Sequence, residues 1–354
     1  MGKLMNYEEA MARLAQDIPP AEDAGFLGID LDPKHAKLVL IPVPWDTTTS
    51  YRQGTAFGPG AILKASHQVD LEDGSFGQIC RGGIAMLPEP RELRVLNTKA
   101  RPVVDGIIGT LSEGGEPKEA DLKWVNEACG KVNAWVRKVS EEHLNAGRLV
   151  GVVGGDHACP LGLIEALNER EKGGFGILHF DAHHDLRKAY EGFEFSHASI
   201  HWNSMERCQN VTKLVQVGIR DFSSDEKQYM KELGKRGVTF YQRDLAQARA
   251  EGEPWSKTVD RIIAELPQRV YVSFDVDALD PTYCPSTGTP VPGGLGFDET
   301  VYFIERLAAS GKVIIGFDLC EVAPGAEGNE WDANVGARMV HKLCGLMLRT
   351  ARLI

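Results

Sequence analysis

The chain has 354 residues, 43% of them hydrophobic and 25% charged, with a formal net charge of −11. That balance suits a folded globular protein; no apolar run is long enough to cross a bilayer, and acidity without a basic cluster argues against a nucleic-acid partner. Residues 1–30 lack the basic start and apolar core of a secretory signal, and the seven cysteines are scattered without CxxC spacing, so reduced thiols and a cytoplasmic location are expected.

In chain order, Tyr7, Ala10, Met11 and Leu14 are spaced for a short amphipathic helix inside an N-terminal extension, residues 1–36. Short, mostly continuous apolar runs predict strands at 38–42, 149–153, 176–180, 214–217, 238–241, 270–274 and 313–318. Continuous runs mean burial on both faces, the pattern of a parallel sheet sandwiched by helices. Apolar residues at helical spacing predict helices over 126–145, 161–171, 224–235, 256–266, 298–309 and 331–350, with Ser224 and Asp298 as N-caps. Residues 88–123 mix proline, glycine and charge, and read as a long surface excursion, an insertion or an oligomer contact. No linker divides the chain, so a single α/β domain over 1–354 is expected.

Three runs carry the chemistry: GGDHACP at Gly154 to Pro160, HFDAHHDLR at His179 to Arg187, and SFDVDALDP at Ser273 to Pro281. Each follows a predicted strand, and open α/β sheets place their chemistry beyond the carboxyl ends of strands. In extended chain, side chains two apart point the same way, so Asp181 with His183, and Asp275 with Asp277, can each chelate from one side. Together with His157 and Asp185 they offer two imidazoles and four carboxylates, a donor set for borderline-hard divalent cations. Any one run alone also reads as a glycine turn, a helix cap or a solvated loop pair. Gathered at one sheet end, however, four carboxylates would repel one another unless cations compensate them.

These runs, with IPVPWDTTTSYRQGTAFGPGAI at Ile41 to Ile62 and FDLCEVAP at Phe317 to Pro324, resemble the ureohydrolase (arginase/agmatinase) family, the agmatinases most closely. The resemblance implies a three-layer α/β/α sandwich with a mainly parallel sheet, assembled as a homo-oligomer of trimer or hexamer type. It implies two Mn2+ per subunit, with Ni2+ as the alternative, and hydrolysis of a small guanidino or amidine substrate to urea and an amine. Carried over position by position, His157, Asp181, Asp185 and Asp275 hold one metal, and Asp181, His183, Asp275 and Asp277 the other. Glu321 matches the family's guanidinium-holding glutamate, His197 its proton-shuttling histidine, and Asp185 helps to orient the nucleophile.

Several neighbours carry a second reading. Glu321 could instead pair with Arg338; His179 reads as a satisfied core histidine and His184 as a packing or substrate-side residue; Asp156 and Asp280 could support ligands or form turns. The chain departs from the agmatinase pattern at His184, where a small threonine is common, and at His197, Ala198 and Ser199, where HGT is common. Arg187 offers a fork for a substrate carboxylate, favouring a guanidino acid or formiminoglutamate, or it pairs with Glu191 or Glu194. Trp45 and Trp202 could close a pocket small enough for free guanidine, or simply pack. Agmatine is the leading substrate. A one-metal deacetylase or amidohydrolase, and a non-catalytic regulator, are the competing classes; a full two-metal ligand set argues against both.

Overall fold

Each predicted apolar run forms a strand. A computed structural model describes residues 4–14, 19–327 and 329–354. Its strands are β1 (Leu38–Val43), β2 (Ile84–Met86), β3 (Leu149–Gly154), β4 (Phe175–Phe180), β5 (Val211–Val217), β6 (Gly237–Phe240), β7 (Arg269–Asp275) and β8 (Val313–Cys320). They pair in the order β2-β1-β3-β8-β7-β4-β5-β6, and every pairing is parallel. The unpredicted β2 spans three residues, too short for a periodic signal.

The helices are α1 (Tyr7–Leu14), α2 (Gly58–Ala65), α3 (Arg91–Ser112), α4 (Glu119–Asn145), α5 (Leu161–Arg170), α6 (Ile200–Arg207), α7 (Ser224–Glu232), α8 (Gln242–Ala250), α9 (Trp255–Ala264), α10 (Phe297–Ala309) and α11 (Trp331–Thr350). Alternate strand residues feed two apolar cores, one on each sheet face. Val270, Val272 and Phe274 of β7 pack with Ile262 of α9, Phe303 of α10 and Leu343 of α11. Tyr271 of the same strand packs with Val104 of α3, Val132 of α4 and Ile164 of α5 on the other face. Each such side chain contributes about 1.5–3 kcal/mol by leaving water, which explains why these strands read as unbroken apolar runs. The result is the three-layer sandwich with a parallel sheet that the resemblance implies.

Two local expectations are corrected. Residues 88–123 are not a structureless excursion but hold α3 and the start of α4. Pro102, Gly106 and Gly109 hide α3 in the sequence, whereas Leu93, Asn97, Ala100, Val104 and Ile107 repeat at helical spacing and are buried. The caps also shift. Ser223, not Ser224, caps α7, its Oγ accepting from the Glu226 N–H while the Glu226 carboxylate accepts from the Ser223 N–H. At α10, Glu299 accepts from the Gly296 N–H, and Asp298 lies in the first turn.

The chain lays β3 down beside β1, crosses to β4, and fills the gap last with β7 and β8. Val153, Leu319, Phe274 and Phe180 are register partners across β3, β8, β7 and β4, so the loops that follow leave the sheet at one level. The three ligand runs are therefore not on three adjacent strands, as the sequence suggests. β8 lies between β3 and β7 and brings a fourth run, ending in Glu321, into the middle of the site.

Candidate metal centre and active site

His157 follows β3 on a loop pressed against the loop after β1. A Cβ on Gly155 would lie 2.0 Å from the Trp45 carbonyl oxygen, so glycine is required for that approach. His157 Nδ1 lies 3.1 Å from Asp181 Oδ2, 3.2 Å from Asp185 Oδ2 and 3.4 Å from Asp275 Oδ2. Its Nε2 is held by Ser273 Oγ at 2.9 Å, with Asp318 Oδ1 at 3.4 Å. A second cluster lies alongside, where His183 Nδ1 is 3.1 Å from Asp277 Oδ2 and 3.4 Å from Asp181 Oδ1. Asp181 thus presents one oxygen to each imidazole. Asp275 Oδ1 accepts from the Asp277 N–H at 2.8 Å, and Asp277 Oδ1 from the Ala182 N–H at 2.9 Å, which fixes both carboxylates.

The electrostatics of this arrangement call for cations. Burial, followed by the Asp181 charge, pushes Asp185 up to about 7. Burial, followed by Asp277 and Asp181, drives Asp275 well above the carboxylate range. Asp181 goes the other way: burial opposes its charge, but His179, His157 and His183 together hold it well below its ordinary value. His157 and His183 are in turn raised well above ordinary histidine by these carboxylates, against the effect of burial. Without a cation the cluster is satisfied only by protons on its imidazoles and carboxylates. Nitrogen and oxygen donors converging from β3, β4 and β7 fit a pair of divalent cations, which would replace those protons.

Glu321 sits above the cluster. Its Oε1 accepts from the His157 N–H at 3.0 Å, its Oε2 is buried without a partner, and the residue lines the cleft. Burial, then the Asp156 carboxylate, raises Glu321 well above its ordinary range. Both Glu321 and Asp185 have left-handed backbone, at φ 65° and 53°, a conformation that costs a non-glycine residue about 1–3 kcal/mol and marks a site the surrounding fold over-determines. Arg338 bonds to Asn334, not to Glu321.

The cleft over the cluster encloses about 360 Å³, between His183, Asp185, Asp275 and Glu321 at its base and Tyr51, Tyr190, Asp221 and Phe222 further out. His197 lines it too; its backbone N–H donates to Thr48 Oγ1 at 3.2 Å, and its ring meets Tyr190 edge-on at 5.8 Å. Desolvation, helped by the charged His183 and His157, lowers His197 to about 3, so it is neutral at pH 7. The loop bearing Tyr51 is clamped from β1 and α3: Asp46 accepts from the Gly54 N–H at 2.8 Å and from Asn97 at 2.8 Å, and Arg101 donates to the Thr47 carbonyl at 2.9 Å.

The remaining candidates sort by contact. Arg187 reaches the cleft but is engaged: its Nε lies 3.6 Å from Glu226, and its guanidinium stacks 4.6 Å above the Tyr190 ring, so Glu226 takes the place expected for Glu191 or Glu194. His184 turns away from the cleft and is buried against Gln216 and Phe222. Asp156 is buried, accepting from Thr48 and from the Ala158 N–H, and burial with Asp46 nearby lifts it to about 7. Asp280 forms a turn with Thr282. Trp45 is core, and Trp202 lines a separate surface hollow. His179 is more than a core histidine, since its Nε2 meets Asp181 at 2.8 Å.

Four residues around the site escaped the sequence reading: Gln216, Ser273 and Asp318 beneath it, and Asp221 at its rim. The first three have a signal, a lone polar residue near the end of each apolar run, in LVQV, YVSF and GFDL. Asp221 has none, because it reaches the cleft only through the pairing of its segment with His183.

A parallel α/β sheet carrying this donor set at the ends of β3, β7 and β4 points to a class, the α/β metallohydrolases built around paired cations. A model of the arginase family matches residues 36–345, and the chain belongs to that family. It is 32% identical over 313 residues to an N(1)-aminopropylagmatine ureohydrolase of Thermus thermophilus, covering 88% of this chain and 91% of that one. An agmatinase of Cronobacter sakazakii is 29% identical over 326 residues, with 89% and 90% covered. The agmatine ureohydrolase of Thermoplasma volcanium has the same fold, with a TM-score of 0.68 at 22% identity over 96% of this chain and 99% of that one. The protein is an arginase-family ureohydrolase. Among the described residues, no helix is long and apolar enough to cross a membrane.

Proposed function

We propose that the protein hydrolyses the guanidino C–N bond of a small guanidinoalkylamine, agmatine or its N-aminopropyl derivative, releasing urea and the amine. His157, Asp181, Asp185 and Asp275 would hold one divalent cation, and Asp181, His183, Asp275 and Asp277 the other, with manganese the expected metal and nickel the alternative. When bound, such a pair supplies Lewis acidity that makes water nucleophilic near neutral pH. The observation that carries the reading is Glu321, which lines the same cleft as Asp185, His183 and Asp275 and whose buried Oε2 has no partner.

A guanidinium carbon is a poor electrophile because resonance spreads its charge over three nitrogens, so the substrate must be held as well as attacked. Glu321 Oε2 accepts the guanidinium N–H groups and balances their charge, while Asp185 accepts a hydrogen bond from the attacking water and fixes its direction. His197, neutral on the cleft wall, takes the proton the water gives up and delivers it to the departing amine nitrogen, which leaves only when protonated. The tail then lies along Tyr190, Phe222 and Tyr51 toward Asp221, whose carboxylate is exposed. A cationic tail is favoured over an acidic one because Glu226, 3.6 Å from Arg187 Nε, offsets part of the arginine charge. A homo-oligomer belongs to the same proposal.

The test is urea release, after manganese or nickel loading, from agmatine, N-aminopropylagmatine, arginine, guanidinobutyrate, guanidinopropionate and free guanidine, with ammonia or formamide release followed for formiminoglutamate. Turnover of the amine-tailed compounds above the acids is the expected result. A preference for an acid would return Arg187 to the role of carboxylate fork and overturn this tail assignment.

A further inference from the structure

Beneath the candidate metal centre, a row of polar side chains crosses the otherwise apolar sheet. Thr239, Gln216, His179, Ser273 and Asp318 are register partners on β6, β5, β4, β7 and β8. Gln216, His179, Ser273 and Asp318 are fully buried, so each must find its hydrogen bonds inside the protein. We propose that part of this row, joined by His184, forms a directed hydrogen-bond relay, His184–Gln216–His179, that positions the Asp181 carboxylate to be shared by two cations. The proposal rests on the reading of Asp181 as a metal ligand given above.

The direction of the relay follows from one group that cannot be reversed. The His184 carbonyl can only accept, and it lies 2.8 Å from the Gln216 amide, so that end of the amide is its NH2. The same nitrogen donates its second hydrogen to His179 Nδ1 at 2.9 Å, which must therefore be the unprotonated ring nitrogen. The His179 proton then resides on Nε2 and is donated to Asp181 Oδ2 at 2.8 Å. At the other end, Gln216 Oε1 accepts from His184 Nδ1 at 2.6 Å and from Thr239 Oγ1 at 3.4 Å. Both donors and both acceptor positions of the amide are used, and rotating it by half a turn would set the amide oxygen against the His184 carbonyl, an acceptor that cannot switch roles.

The consequence falls on Asp181. One lone pair of Oδ2 is committed to His179, and Oδ1 accepts from the His183 backbone N–H at 2.6 Å, so the carboxylate plane is fixed and its remaining lone pairs face the two imidazole clusters. The His201 ring packs against His179 at a centroid distance of 4.0 Å, tilted by 55°. His184 supplies two of the four partners that orient Gln216, its carbonyl and its imidazole. A threonine there would keep the carbonyl and lose the imidazole, so the departure at position 184 acts on the metal centre and not on the substrate.

The relay is tested by equilibrium manganese binding to the metal-free protein, read from the EPR signal of free Mn2+, with thermal melting of the same samples. Gln216→Leu and His179→Leu are each expected to weaken manganese binding by about 10–100-fold, with the metal-free melting temperature recorded to separate this loss from the cost of the buried partners each leaves unpaired. His179→Gln, which keeps an N–H donor, should recover part of the loss. Because both residues act through one N–H, the double variant Gln216→Leu/His179→Leu should bind no more weakly than His179→Leu alone. Wild-type affinity in His179→Leu, or additive losses in the double variant, would overturn the relay. Should Gln216→Leu fail to fold, His184→Thr carries the same test: weakened manganese binding supports the relay and unchanged binding overturns it. A wild-type chain that takes up no manganese removes the metal assignment and the relay together.

Discussion

Glu321 combines three costs in one residue: a left-handed backbone, full burial, and a carboxylate oxygen without a partner. The fold supports it from both sides, with its N–H donating to the Gly155 carbonyl at 2.8 Å and its own carbonyl accepting from Thr287 Oγ1 at 2.7 Å. A guanidinium delivered to Oε2 would satisfy the lone pair and restore the charge that burial suppresses, offsetting the side-chain part of that cost. Glu321→Gln keeps the shape and an acceptor for the His157 N–H but removes the charge. With agmatine we expect kcat/KM to fall by at least two orders of magnitude, corresponding to the ~2–5 kcal/mol typical of a truncated buried charge pair, with manganese stoichiometry unchanged. A variant that turned over at the wild-type rate would remove Glu321 from substrate binding.

At the scale of elements, the legible features were those whose pattern is local. Six of the seven predicted strands stand out because burial on both faces leaves continuous apolar runs, β6 being a half-buried edge strand, and α11 because its apolar spacing is sustained over 331–350. α3 was missed because proline and glycine are breakers in isolation, whereas packing against the sheet stabilises the helix through Leu93, Ala100, Val104 and Ile107. Burial also sets the acid response of α11. His341 is buried with an unpartnered Nε2, and burial lowers it to about 4. Its ordinary value is near 6.5, so between those two pH values the unfolded chain binds a proton that the folded chain does not, and stability falls as pH falls. Replacing it by His341→Leu should therefore flatten the stability–pH curve between about pH 6.5 and 4 by up to one proton, ~1.4 kcal/mol per pH unit, when urea unfolding of the metal-free variant and wild type is compared. Parallel curves would show that His341 titrates normally in the fold.

For the whole molecule, the order β3-β8-β7-β4 matters more than any single element, because it gathers carboxylates from distant parts of the chain at one sheet end. The same convergence would make metal binding at the proposed site a folding term, since the paired site does not exist in the unfolded chain. Chelation with EDTA should lower the melting temperature and manganese should restore it, each ion adding about 2.7 kcal/mol at a hundredfold excess over its Kd. Calorimetry of metal-free and loaded protein would measure this, and equal melting temperatures would argue against cation binding at the cluster.

The sequence by itself determined the parallel α/β class and the six candidate metal ligands; the reacting end of the substrate is what the family resemblance implies. Those properties rest on short-range patterns, such as apolar runs, alternate spacing in DAH and DVD, and glycines where loops must approach. Tertiary structure decided what depends on partners far apart in the chain. It placed Glu321 between β3 and β7, set Glu226 3.6 Å from Arg187, brought Asp221 to the cleft, and turned His184 away from the cleft to Gln216. An isolated arginine or histidine does not specify its neighbour, and here the neighbour, supplied by strand order and register, decides what each side chain does.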